Sequence, residues 1–157
     1  MSNIQNKKMK TFIFKTKLLS DKKIAREIEV LENTNLYKLA GAIVDAYDFD
    51  FDHCFGFFSK ITDGLCFDSE RKYELLTDIP DVEQTGAGSV EKTKIGEVWR
   101  AVGDKMLFLF DYGDDWRFVV ELAGLGERRL KTKYSRLLKR VGIAPPQYEE
   151  VGKEENM

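Results

Sequence analysis

The segment Phe108 to Leu122, FLFDYGDDWRFVVEL, restricts the fold more than any other part of the 157-residue chain. Two apolar runs flank three carboxylates, a glycine and a tryptophan. Runs rich in Phe, Val and Leu read as strands, and the polar knot between them reads as a tight turn. Gly113 is predicted to supply the positive φ that such a turn often needs. Asp111, Asp114 and Asp115 can accept from turn N–H groups. Trp116 is large enough to anchor the turn to a core.

The chain opens with a similar pattern. Met9 to Leu19 alternates and predicts a strand, with Lys15 and Lys17 at its half-exposed far end. Ser20 to Lys23 supplies a turn. Ile24, Arg26, Ile28 and Val30 then share one face of a second strand, completing an antiparallel hairpin over 9–31. Asn33-Thr34-Asn35 are helix-start residues. Leu36, Leu39, Ala40, Ile43, Val44 and Tyr47 follow at helical spacing, predicting an amphipathic helix of about three turns across the hairpin. Further on, Cys54 to Phe58 is strand-like, Arg71 to Leu76 suits a short strand, and Pro80 to Ser89 a loop. Thr93 suits the cap of a short helix burying Ile95, Val98 and Trp99. Residues 127–141 are ambiguous: Leu130, Tyr134, Leu137, Leu138 and Val141 fit a helical stripe, and the short piece RLLKRVG also suits an edge strand. The expected architecture is a single α+β domain over 9–148, with helices packed on a mainly antiparallel sheet. Residues 1–8 are expected to be flexible and 149–157 disordered.

Composition bounds the class. At 43% hydrophobic and 12% aromatic residues, the chain is expected to fold around a real core. No apolar run approaches the length of a membrane span, and MSNIQNKKMK is not a secretory signal. The expected location is the cytoplasm, where Cys54 and Cys66 would be reduced, buried small hydrophobes. The net charge of −2 conceals opposed blocks: eight Lys/Arg against one acid in 1–26, eleven acids against three bases in 45–83, and seven Lys/Arg against Glu127 in 127–140.

The pieces LYKLAGAIVDAYDFDFDHCFGFF, LFLFDYGDDWRFVVEL and VGIAPPQY together resemble the Ri-plasmid open-reading-frame-three-like domain family. The likeness runs from about Lys10 to about Tyr148, and DYGDDW at Asp111 to Trp116 is its most specific part. The resemblance implies a single α+β domain, with no established activity and some members carried as passengers of mobile elements. Tyr112 stands where the family commonly has phenylalanine, and Phe49 where it has tryptophan. APPQY replaces the cysteine- and glycine-rich ending of some members, which argues against a metal role for this C-terminus.

Three stretches carry candidate chemistry. The DYGDDW turn is explained in full by turn geometry; as an alternative, its carboxylates are hard oxygen ligands for a divalent cation. In DFDFDH, alternation sets Asp48, Asp50 and Asp52 on one face and Phe49, Phe51 and His53 on the other. The metal candidates are Asp50, Asp52, Asp111 and Asp114; the catalytic candidates are His53, Asp114 and Asp115. His53 is the only histidine, so a zinc site of the usual ligand set is disfavoured. Its plainer reading is a core-rim histidine bonded to a carboxylate. The basic segment supplies nucleic-acid candidates: Arg128, Arg129, Lys131, Lys133, Arg136, Lys139 and Arg140. A solvated face, or pairing with the acidic middle block, explains them as well. No phosphate-binding glycine loop and no helix-turn-helix is present. The expected function is a non-enzymatic binding or interaction module without a cofactor. The alternatives are a nucleic-acid-associated protein using residues 128–140, and a metal-dependent enzyme using the aspartates and His53.

Overall fold

The computed structural model describes residues 9–62, 64–75 and 87–148. Residues 1–8 and 149–157, and most of the Pro80–Ser89 loop, lie outside them.

Eight strands form one sheet: β1 (Lys10–Leu18), β2 (Ala25–Leu31), β3 (Phe55–Phe58), β4 (Lys72–Glu74), β5 (Gly88–Ser89), β6 (Lys105–Phe110), β7 (Trp116–Glu127) and β8 (Arg136–Val141). Their spatial order is β5-β4-β3-β6-β7-β1-β2-β8. All neighbours are antiparallel except the short β4–β5 pair. β1 and β2 form the N-terminal hairpin, and β6 and β7 the hairpin around DYGDDW.

The helices are α1 (Leu36–Ala46) and α2 (Ile95–Val98). Asn35 caps α1 by accepting from the Lys38 N–H at 2.8 Å. At α2 the cap position falls on Lys94, one residue after Thr93, and the Lys94 N–H is satisfied by Glu97. The two helix starts complete each other. The Leu36 N–H donates to the Thr93 carbonyl and the Ile95 N–H to the Thr34 carbonyl, each at 2.9 Å. Orphan donors of both first turns are thereby used.

Alternation puts Phe14, Leu18, Ile28, Val30, Phe57, Phe108, Phe118 and Val120 on the face that meets α1, in one core with Leu39, Ile43 and Trp99. Each such aromatic contributes on the order of 1.5–3 kcal/mol on burial. A second, smaller core of Phe58, Cys66, Leu107 and Leu109 occupies the opposite face of β3 and β6. It lies by the 3-10 turn Cys66–Asp68. The opposite face of β1, β2, β7 and β8 has neither helix on it.

The alternative left open over 127–141 resolves as an edge strand at Arg136–Val141. Two expectations need correction. Cys54 is exposed, while Cys66 is buried as expected. In the DYGDDW turn, positive φ falls on Asp111 and Asp115, at 62° each, and not on Gly113. The Asp111 carboxylate accepts from the Gly113 and Asp114 N–H groups at 3.1 and 3.2 Å. That local bonding holds an aspartate in the left-handed region.

Candidate functional site

Strand register brings part of the two acidic stretches together. Phe55 pairs with Phe110 across β3 and β6, so the residues before Phe55 lie beside those after Phe110. The Asp111 N–H donates to the Cys54 carbonyl at 2.8 Å. His53 then stands between two carboxylates, with Nδ1 2.6 Å from Asp52 Oδ1 and Nε2 3.6 Å from Asp111 Oδ2. Its pKa is raised, first by the bond to Asp52 and then by the charges of Asp111, Asp52 and Asp114. Asp52 is held below the usual carboxylate range, chiefly because the Tyr148 hydroxyl donates to it at 2.8 Å. Gln147 exchanges hydrogen bonds with the Asp50 backbone at 2.6 and 3.0 Å. The C-terminal segment is thus fastened to residues 50–53.

The remaining aspartates go elsewhere. Asp48 sits on the Arg26 side and Asp115 pairs with Arg117 at 2.9 Å. Among the described residues no three His, Cys, Asp or Glu side chains are grouped to hold a metal ion. Asp52 and Asp111 already have protein partners, so their charge needs no cation. Among the described residues no serine, threonine or cysteine side chain is hydrogen-bonded to His53, although Cys54 lines the same cavity; the hydroxyl beside it is that of Tyr148, at 3.2 Å from Nδ1.

The basic segment does not form one patch. Arg136 makes a two-nitrogen contact with the buried carboxylate Glu29, at 2.9 and 2.8 Å. Arg140 stands opposite Arg26 on the helix side of the sheet, while Lys139 stands opposite Glu27 on the other. Arg128 and Arg129 line a separate cavity with Arg136 and Leu138. Lys131 and Lys133 are exposed in the connection before β8.

The open face of β1, β2, β7 and β8 carries a more ordered pattern. Cross-strand pairing sets Lys105, Glu121, Lys15, Glu27 and Lys139 in one transverse row of alternating charge. The next row toward the β1–β2 turn reads Leu107, Val119, Lys17, Ala25, Val141, with a single cation among apolar residues. Lys22 and Lys23 project from the turn beside it. Lys15, Lys17, Lys22, Lys23 and Lys139 together line a concavity of about 310 Å³ with Ala25, Arg26, Glu27 and Val141. None of these five lysines is in an ion pair among the described residues. Sequence reasoning missed this site. Lys15 and Lys17 were visible as the exposed alternation of β1, but their meeting with Lys139 depends on β8 pairing with β2.

An eight-stranded, mostly antiparallel sheet with helices on one face and a charged opposite face defines an α+β domain. Its residues match those of a known family over nearly the whole chain. The protein belongs to the plasmid pRiA4b ORF-3-like family, whose model matches residues 10–156. The fold is shared with the crystal structure of MM3350, a protein of unknown function from Methanosarcina mazei Go1. That likeness has a TM-score of 0.71 and 21% identity, covering 90% of this chain and 74% of the other. No curated protein gives a significant match.

Proposed function

We propose that the domain is a non-enzymatic binding module that receives a nucleic acid on the open half of its sheet. The carrying observation is the concavity where five lysines surround one glutamate, Glu27. The chain's net charge of −2 does not oppose this. Potentials at the surface are local, decaying over about 10 Å at 0.1 M salt. Arg128 and Arg129 extend the positive surface at the other end of the same face. A metal-dependent enzyme is less well supported, because the aspartates near His53 are bonded to protein groups. No helix among the described residues is long and apolar enough to cross a membrane, and the reading sets the domain in the cytoplasm.

The test is fluorescence anisotropy with labelled DNA and RNA. Binding is expected at about 50 mM salt and should weaken roughly 10²–10³-fold by about 200 mM, as release of counterions from about five phosphates requires. Undetectable binding at the lower salt refutes the reading.

A further inference from the structure

We infer that the pocket at the turn end of the β1–β2 hairpin, centred on Lys17, is the principal seat for a phosphodiester, and that this face grips the backbone without reading bases. The inference rests on the nucleic-acid reading above and names the site within it.

The two rows of the open face differ in what they leave uncompensated. In the row of Lys15, each lysine stands opposite a glutamate: Lys105 opposite Glu121, Lys15 between Glu121 and Glu27, Lys139 opposite Glu27. These opposite charges in register offset one another's field across the sheet without a direct ion pair. Lys17 has no acid in register on either side. Its neighbours are Val119 and Ala25, and Val141 lies beyond Ala25. Lys22 and Lys23 add two exposed cations from the turn, where the only acid is Asp21. Asp21 turns its Oδ1 back to accept the Lys23 N–H at 3.1 Å. Positive charge is therefore in excess at this end of the face, over a floor of Ala25 and Val141. Lys17 is half-buried, so its attraction for an anion is less screened than that of a fully solvated lysine.

The same face lacks what base recognition needs. The aromatics of β1 and β7, Phe12, Phe14, Trp116 and Phe118, all belong to the core on the helix side. No aromatic side chain of these four strands is available on the open face for a base to stack on. Lysines are also the residues that meet phosphate as point charges and not as planar forks. The expected ligand is the sugar-phosphate backbone of any sequence.

The experiment measures binding of the full chain to labelled duplexes of mixed, A·T-only and G·C-only sequence between about 50 and 200 mM salt. The variants are Lys17→Gln/Lys22→Gln/Lys23→Gln and, for the other end of the face, Arg128→Gln/Arg129→Gln. Thermal melting confirms that each is folded. The triple variant should lose the larger share of affinity, and its slope of log affinity against log salt should flatten by about 0.9 per phosphate contact removed. The three duplexes should bind within about tenfold of one another, well under the specificity of base readers. If the wild type binds but the triple variant keeps its salt slope, the seat is wrong while the broader reading survives. A preference above about tenfold among the duplexes overturns backbone-only recognition. Absence of wild-type binding overturns both.

Discussion

The guanidinium of Arg26 lies 4.9 Å above the ring of Tyr47, with both residues only 1% exposed. Among the described residues Arg26 forms no salt bridge with a carboxylate, although the charge of Asp48 acts on it. It donates instead to carbonyls: Ala46 at the end of α1, its own neighbour Ala25, and Val141 and Gly142 at the end of β8. One side chain thereby ties helix, hairpin and edge strand. Burial lowers its pKa and raises that of Tyr47 to about 12, yet the fork of donors requires the charged form. Arg26→Ala should destabilise the protein by about 1–3 kcal/mol, the range for leaving buried acceptors without their donor. Arg26→Lys should recover little, since an ammonium cannot span four carbonyls. Urea unfolding measures both; a loss below about 1 kcal/mol, typical of a surface change, contradicts the assignment.

The two tryptophans should respond unequally to replacement by phenylalanine. Trp99 is 1% exposed and donates from Nε1 to the Val120 carbonyl at 3.1 Å. Trp116 is half-buried, packs edge-on against Phe49 at 4.8 Å, and its indole N–H is buried with no partner among the described residues. Trp99→Phe should cost about 1–3 kcal/mol by orphaning a buried acceptor, while Trp116→Phe should cost less than about 1 because an unpaired donor is removed. Equal losses by denaturant unfolding would show that ring size governs both.

His53 and Asp52 should give stability a pH-dependent component. The folded pKa of His53 is raised, so its contribution is full below the ordinary value near 6.5 and is lost as pH rises through the folded value. Asp52 is lowered, so its contribution is present above the ordinary carboxylate value and lost as pH falls through the folded one. The cluster therefore works best at mildly acidic pH, between those limits. An NMR titration of the His53 ring should place its midpoint above about 6.5, with Asp52→Asn moving it back down. A midpoint at or below that value removes the argument.

Arg136→Ala should leave Glu29 as a 5%-exposed carboxylate with only Thr11 bonded to it. The expected cost is about 1–3 kcal/mol, less than for a fully buried pair because Arg136 is 36% exposed. Amide exchange should speed up along β8 before the rest of the sheet. Uniform exchange across all strands would mean that β8 does not open by itself.

What the sequence displayed was local periodicity. Met9–Leu19 and Leu36–Tyr47 each repeat with one period over several residues, and a strand and a helix stand there. In the DYGDDW turn, in contrast, positive φ falls on Asp111 and Asp115 and not on Gly113, and at Asp111 the carboxylate accepting from two turn N–H groups supports it. The segment 127–141 was ambiguous for a different reason. Leu137 and Leu138 are consecutive apolar residues, which alternation forbids on one strand face. In the sheet Leu137 stands opposite Ile28, while the register shift between Glu27 and Ile28 leaves Leu138 unpaired. The candidate site was legible only in part: register carried Asp52, His53 and Asp111 together but sent Asp48 and Asp115 away, and no pattern in sequence sets Lys17 and Val141 on either side of Ala25.

The sheet order has a kinetic consequence. β1, the first strand made, sits between β2 and β7, and Lys10 pairs with Glu127. An N-terminal hairpin emerging during synthesis has both edges without neighbours until β7 and β8 have been made. Contacts this distant along the chain close more slowly than local ones, so folding should be slower than that of a helical bundle of similar length. In that interval Phe12 and Phe14 have no complete core to enter, and the nascent strand is open to mispairing or to a chaperone.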